Sequence, residues 1–370
     1  MRIIIPLICI FILSFHYLHA SDINDEKLIS KEWKIGGMVH VGRYLIHSPM
    51  LAPIIERNAL GGEIFLSKQT YGKHHWNSFF NYPEYGISYT YMDIGSLNYL
   101  GMAHCLLPYF NFRFFNNRNI FNVEFHLGIG GAYVEKVYDA QKNPDNHAVS
   151  THFNGALNGK LNVSLKISKN WSLFVGTGLL HLSNGAYEKP NKGVNILSFF
   201  SGISHSFGRE NTFISQSNKI NEKNKNWDCS VYLMGGIKEI NPIGGSKYLV
   251  GDFNLEVTKK HLQYTRFGLS LDITHDKSDY DNIIFQSMPA VERIKTTRLG
   301  VSGGYEILFG ELSLDLFLGT YIYEPNLHGR IYQRTSLRYP ISDRAKVSLS
   351  LRNHKGKADF IGLGLGFRLF

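Results

Sequence analysis

Residues 179–195, LLHLSNGAYEKPNKGVN, place a histidine, a serine and several asparagines at the end of a predicted strand. Side chains alternate between the two faces of a strand, so His181 and Ser183 lie side by side on one face. A serine becomes a nucleophile when an adjacent histidine takes its proton and a third group holds the imidazole in the right tautomer. We assign these roles to Ser183, His181 and Asn195. An amide orients the imidazole but does not offset its positive charge as a carboxylate would.

The face that carries this histidine and serine in the predicted strand 171–183 is otherwise mostly apolar, and the opposite face is rich in serine and glycine. Asn195 shares its face of the next strand with leucine, isoleucine and phenylalanine, so all three polar side chains are expected on an outer, lipid-facing surface. Such groups are costly in hydrocarbon unless they satisfy one another near the interface. That cost indicates a function, in which Asn184 and Gly185 would donate hydrogen bonds to an oxyanion.

Period-two alternation of apolar and polar residues recurs along most of the chain and predicts an all-β fold. No segment after the N-terminus has the roughly 18 consecutive apolar residues of a membrane-spanning helix. The aromatic content of 14% and the long strands instead favour a transmembrane antiparallel β-barrel, and the final FIGLGLGFRLF resembles the last strand of outer-membrane barrels. We predict one barrel, because an open edge in a membrane would expose unpaired backbone groups.

The alternation predicts 16 strands, with 12 or 14 left open because two of the connections are unusually long for periplasmic turns. The predicted strands are residues 33–46, 60–68, 85–93, 98–114, 119–136, 153–167, 171–183, 195–207, 227–239, 248–258, 263–275, 295–309, 312–324, 330–341, 345–353 and 359–370.

The chain divides into four predicted segments. Residues 1–20 carry an early basic residue, an apolar run and a small residue before a polar stretch, which is typical of a secretory signal peptide. Residues 21–208 hold the first strands and the motif, residues 209–226 form a polar connection, and residues 227–370 hold the remaining strands. The connection could also separate an eight-stranded first half from a second unit.

The chain has 39 basic and 30 acidic residues, a surplus that suits an anionic lipid surface. Nucleic acid would fit the charge alone, but export argues against it. Outside the signal peptide, Cys105 and Cys229 are too few for a disulfide framework, although one bridge between them is possible.

If the chain starts in the periplasm, loops after odd-numbered strands lie outside the cell. The motif then lies at the outer-leaflet end of its strand.

The motif resembles the signature of the outer-membrane lipid A 3-O-deacylase (acyloxyacyl hydrolase-like) family, in which His-x-Ser-Asn is followed by Pro-Asn-x-Gly and an orienting acid. The likeness extends loosely over residues 60–208 and does not cover residues 227–370. Asn195 departs from the pattern, because the characterised deacylases have Glu there. Outer-membrane phospholipase A has a similar motif with Asn at the same offset, which forms a Ser-His-Asn triad on the barrel exterior. The residues that match the deacylase signature are His181, Ser183, Asn184, Pro190, Asn191 and Gly193.

Both resemblances imply a serine-dependent ester hydrolase of the bacterial outer membrane that acts on lipids. We predict 3-O-deacylation of lipid A, the anchor of lipopolysaccharide, because that lipid occupies the outer leaflet; hydrolysis of a phospholipid is the alternative. No cofactor is expected. The resemblance to the phospholipase makes Glu188 a candidate for binding calcium and leaves a homodimer open. A non-enzymatic porin-like or structural barrel is a further alternative, since a sixteen-stranded barrel encloses water.

Overall fold

The computed structural model describes residues 29–115, 120–214, 227–279, 281, 296–324 and 329–370, and the predicted signal peptide lies outside them. Within these ranges the chain forms sixteen strands, as predicted, together with short helical segments. These segments include a 3-10 helix at Pro49–Ile54 and an α-helix at His75–Phe79. The first eight strands are β1 (Ile29–Tyr44), β2 (Ala59–Gln69), β3 (Glu84–Asp93), β4 (Met102–Arg113), β5 (Phe121–Val134), β6 (Phe153–Lys166), β7 (Trp171–Ser183) and β8 (Val194–Thr212). The other eight are β9 (Trp227–Glu239), β10 (Lys247–Leu262), β11 (Thr265–Asp276), β12 (Thr297–Phe309), β13 (Leu312–Tyr323), β14 (Ile331–Pro340), β15 (Ala345–His354) and β16 (Lys357–Arg368).

The strands close into two separate antiparallel barrels, so the prediction of one sixteen-stranded barrel is wrong. β1 pairs with β8 to close the first barrel, and β9 pairs with β16 to close the second. Each barrel closes without an unpaired strand edge. Two barrels therefore avoid exposed backbone N–H and C=O groups in the membrane, as one barrel would. β8 runs on to Thr212, and residues 215–226 of the predicted connection lie outside the described part of the chain.

Alternation along each strand separates an apolar outer face from a filled interior. On the outside of the first barrel, Ile64, Leu106 and Phe199 are exposed, with 64%, 53% and 72% of their surface accessible. Among the described residues, no helix is long and apolar enough to cross a membrane. Cys105 and Cys229 are both buried and both free thiols.

The interior of the first barrel is apolar at one end. We call this the loop end, because the connections 45–58, 94–101, 135–152 and 184–193 all leave the barrel there. Leu180 and Leu182 of β7 point inward and are buried in this apolar cluster. These two leucines lie on the inner face that is otherwise rich in serine and glycine, because they are near the end of the strand, at the height of the apolar cluster.

Below the apolar cluster, the first barrel is filled with paired charges. Lys160 Nζ lies 2.5 Å from Glu63 Oε1, and His40 Nε2 lies 3.3 Å from Glu63 Oε2. Glu84 accepts from Lys34 Nζ at 2.5 Å and from Arg113. These charged side chains extend into the interior and pair with one another there.

The second barrel has an interior in which arginines pair with acids. Arg334 and Arg338 each lie 2.6 Å from Glu256 Oε1, and Arg352 lies 3.0 Å from Asp252. All three guanidinium side chains are buried. Eight strands enclose a space that side chains fill. The wide pore that sixteen strands would enclose is therefore not formed.

Candidate active site

The site predicted from the motif lies on the outer face of the first barrel, at its loop end. His181 in β7 and Asn195 in β8 are direct partners across the antiparallel pair. Both alternate with buried neighbours, Leu182 and Val194, which point into the barrel. Because side chains alternate along a strand, His181, Ser183 and Asn195 face outward, as the sequence predicts.

The imidazole of His181 is oriented by Asn195. The distance from His181 Nδ1 to Asn195 Oδ1 is 2.8 Å. An amide oxygen only accepts hydrogen bonds, so the proton of a neutral imidazole lies on Nδ1 and the basic nitrogen is Nε2. This is the tautomer that a histidine needs if it is to take a proton from a serine.

Ser183 shares the outer face with His181, two residues further toward the loop end. Its hydroxyl oxygen accepts a hydrogen bond from Asn191 Nδ2 at 2.9 Å. We did not assign a role to Asn191 from the sequence, although it belongs to the Pro-Asn-x-Gly part of the motif. The contact places an amide donor directly at the serine oxygen.

Asn184 and Gly185 begin the loop that follows Ser183. The side chain of Asn184 is buried and donates from Nδ2 to Ser150 Oγ at 3.0 Å. Gly185 has a φ of +67°, in the left-handed region that glycine adopts without strain. The side-chain amide of Asn184 is thus engaged with Ser150.

His47 is a further residue of the site, and no feature of the sequence indicated it. It lies in the loop after β1, 148 residues from Asn195 along the chain. Its Nδ1 is 3.1 Å from Asn195 Nδ2, and its Nε2 is 2.8 Å from the carbonyl oxygen of Lys192. The asparagine therefore contacts a histidine with each end of its amide.

Hydrogen bonds between loops hold these segments together. Tyr44 donates to the carbonyl oxygen of Gly193 at 2.7 Å, and the amides of Lys192 and Gly193 bond to the carbonyls of His147 and Ala148 at 3.0 and 2.9 Å. The segment that carries the asparagines is thus tied both to the end of β1 and to the long loop between β5 and β6.

The loop after β1 is tied to the loop after β3. Glu56 accepts hydrogen bonds from Asn98 Nδ2 at 2.9 Å and from Ser96 Oγ at 2.8 Å. These bonds to the charged form lower the pKa of the Glu56 carboxyl. The loop that carries His47 is thus held at both ends.

No group of three or more histidine, cysteine or acidic side chains that could hold a metal ion occurs among the described residues. Glu188, the candidate for calcium, lies in the loop between β7 and β8 and belongs to no such group. The site as described consists of a hydroxyl, imidazoles and amides.

Two family matches cover most of the chain. Residues 61–204 match the family described as lipid A 3-O-deacylase, and residues 227–370 match the C-terminal domain of acyloxyacyl hydrolase. The second match extends the likeness to residues for which the sequence motifs had shown none. Each match falls within one barrel.

Solved structures similar to this chain include Neisserial surface protein A, with 11% identity and a TM-score of 0.32 over 47% of this chain and 97% of that one. A triple mutant of Rhodopseudomonas blastica porin shares 10% identity, with a TM-score of 0.19 over 92% of this chain and 100% of the porin. No curated protein matches the sequence.

Proposed function

The chain belongs to the lipid A 3-O-deacylase family, and from that premise we propose that its exterior site hydrolyses the 3-O-acyl ester of lipid A with Ser183 as the nucleophile. The protein is located in the bacterial outer membrane. The observation that carries the proposal is the outward-facing hydrogen bond of 2.8 Å between His181 and Asn195, with Ser183 on the same face.

In the first step, Ser183 Oγ attacks the ester carbonyl carbon while its proton passes to His181 Nε2. Asn195 keeps the other ring nitrogen, Nδ1, protonated, so that Nε2 presents its lone pair. The carbonyl oxygen becomes an oxyanion. We expect it to be stabilised by the amide of Asn191, which donates to Ser183 Oγ, and by Asn184 and Gly185, as the motif predicts.

In the second step, the tetrahedral intermediate collapses and the bond to the 3-oxygen of the sugar breaks. His181 gives its proton to that oxygen, which leaves as a hydroxyl group, and the acyl chain stays esterified to Ser183. A water molecule, deprotonated by His181, then attacks the acyl-enzyme. The bond to Ser183 Oγ breaks, His181 returns the proton to Ser183, and the fatty acid is released. This cycle consumes one water molecule and requires no redox cofactor.

Lipid A is the substrate we favour. If the chain enters the first barrel from the periplasm, the loop end faces the outside of the cell, and the outer leaflet at that side holds lipopolysaccharide. The excess of basic residues suits the phosphates of lipid A. One observation favours a phospholipid instead. The third residue of the proposed triad, Asn195, is an amide, as in the triad of outer-membrane phospholipase A.

The test is the lipid A mass spectrum of cells that express either the native protein or Ser183→Ala. We expect loss of one 3-hydroxyacyl chain only with the native protein. Ser201→Ala is the control, because Ser201 is also exposed on the outer face of the first barrel but lies away from the motif. Lysophospholipid that depends on Ser183 would shift the assignment to a phospholipase, and products that do not depend on Ser183 would contradict the proposal.

A further inference from the structure

We propose that His47 is a positioning residue, which fixes the amide of Asn195 with its oxygen toward His181. The inference rests on the proposed function. An asparagine amide has two ends of nearly equal size, and only the oxygen can accept the hydrogen bond from His181 Nδ1–H. If the amide turned over, its nitrogen would face that N–H, and His181 would lose the contact that sets its tautomer.

The contacts of His47 define which of its nitrogens carries the proton. The carbonyl oxygen of Lys192, at 2.8 Å, can only accept, so Nε2 of His47 must donate to it. In a neutral imidazole Nδ1 is then an acceptor. The group facing Nδ1 at 3.1 Å must be a donor, which is Asn195 Nδ2. The carbonyl oxygen of Leu45, also 3.1 Å from Nδ1, cannot serve as that donor.

These contacts form a chain with one direction of donation. His47 donates to a backbone carbonyl, Asn195 donates to His47, and His181 donates to Asn195. This series of hydrogen bonds begins at the carbonyl oxygen of Lys192, which can only accept. Each later group is therefore oriented by the one before it, and the chain ends with the lone pair of His181 Nε2 directed away from the asparagine.

The backbone holds His47 close to its partner. The amide of Leu45 donates to the carbonyl oxygen of Asn195 at 2.8 Å, which extends the pairing of β1 and β8 into the loop. His47 follows only two residues later. The ring thus reaches over the asparagine from a segment already bonded to it, without a long flexible connection.

A carboxylate at position 195 would not need this partner. Both of its oxygens accept hydrogen bonds, so either one serves His181 and no wrong orientation exists. His47 is needed because residue 195 is an asparagine, whose amide has two different ends. We expect its effect on activity to disappear when position 195 carries a carboxylate, whose two oxygens are equivalent.

The kinetic test is a double-mutant cycle with His47→Phe, Asn195→Asp and the two combined, assayed on lipid A in mixed micelles. We expect His47→Phe to lower kcat about threefold to tenfold with little change in KM, which is the size of one neutral hydrogen bond. In the Asn195→Asp background the same substitution should change kcat less than about twofold, because the carboxylate has no orientation to lose. Equal losses in both backgrounds, or a loss confined to KM, would overturn the inference.

The control is His205→Phe, because His205 lies on the outer face of the same strand as Asn195 but packs against Trp171 and stacks on Phe207, away from the site. It should leave kcat unchanged. All variants are first shown to fold by their shifted migration in unheated gel samples, so that a loss of barrel structure is not read as a loss of orientation.

A second measurement separates this inference from the proposed function. The ¹⁵N chemical shifts of labelled histidines report which ring nitrogen carries the proton, and the signal of His181 is identified by its absence in His181→Gln. We expect the Nδ1–H form in the native protein and a mixture of tautomers in His47→Phe. An unchanged tautomer would refute the positioning role even in an active enzyme, whereas activity that is independent of Ser183 would refute the hydrolase mechanism and leave this result standing.

Discussion

At the scale of single residues, the outer-face site is a set of polar groups that satisfy one another beside hydrocarbon. His181, Asn195 and His47 form a connected series, and Asn191 bonds to Ser183. A polar group left without partners in such surroundings would be destabilising. The connections explain how an apolar barrel surface accommodates these side chains.

Replacing Asn195 by leucine should preserve the barrel and remove most of the activity. Leucine approximates the shape of asparagine but cannot accept the hydrogen bond from His181 Nδ1, so the tautomer is no longer set. Loss of the orienting group in a serine triad lowers kcat by up to about 10⁴-fold, and we expect a decrease of about 10²-fold or more. The measurement is kcat for release of 3-hydroxyacyl chains, and near-native turnover would show that the asparagine has no orienting role.

The motif residues could be predicted from the sequence because they lie within one hairpin. His181 and Asn195 are fourteen residues apart, and alternation alone places both on the outer face. His47 could not be predicted, since its contact depends on the pairing of β1 with β8, the first and last strands of the barrel. Nothing local in the sequence around His47 marks a partner 148 residues away.

At the scale of strands, the sixteen predicted segments were found because each has a period of two that can be read from the residues themselves. How the strands close could not be read in this way, because alternation is the same in one barrel of sixteen strands and in two barrels of eight. Closure depends on β1 pairing with β8 and on β9 pairing with β16. These contacts join residues far apart in the chain.

The charged pair between strands β2 and β6 should be important for the stability of the first barrel. Lys160 and Glu63 are buried and lie 2.5 Å apart. Lys160→Met would leave the Glu63 carboxylate buried without its lysine, and breaking such a pair typically costs about 3 to 5 kcal/mol. The free energy of unfolding in urea, followed by tryptophan fluorescence in lipid vesicles, measures this loss.

Two further variants make that experiment decisive. Lys169→Met removes an exposed lysine that pairs with Glu210 at a turn, and it should change the free energy of unfolding by less than about 1 kcal/mol. Adding Glu63→Leu to Lys160→Met removes the carboxylate that has lost its lysine, and it should restore part of the free energy of unfolding. Equal effects of Lys160→Met and Lys169→Met would show that the interior pair is not stabilising.

At the scale of the whole molecule, the filled interiors predict a protein that does not conduct ions. Paired charges cross both barrels, for example Lys160 with Glu63 in the first and Arg334 with Glu256 in the second. We expect no stable open-channel steps in planar lipid bilayers under conditions in which a general porin conducts. Regular conductance steps that require the folded protein would contradict the interpretation of the barrels as closed and filled.

The separate closure of the second barrel predicts that it can fold alone. Residues 227–370 contain all eight strands of that barrel, so the fragment has no open edge that requires the first barrel. Refolded in detergent micelles, it should show strand circular dichroism and shifted migration in unheated gel samples. A fragment that folds only when residues 21–226 are supplied would indicate a shared barrel. The unsplit chain is the control.

The outward position of Ser183 determines how a substrate would reach it. A reactant anchored in the bilayer does not approach from solution but moves sideways within one leaflet, and it meets the barrel wall at a rate set by its density in that plane. The relevant concentration is then the mole fraction of lipid A in the membrane, and diluting it with inert lipid should slow turnover even when the amount per volume is constant. The released fatty acid would likewise enter the same leaflet, beside the surface that produced it.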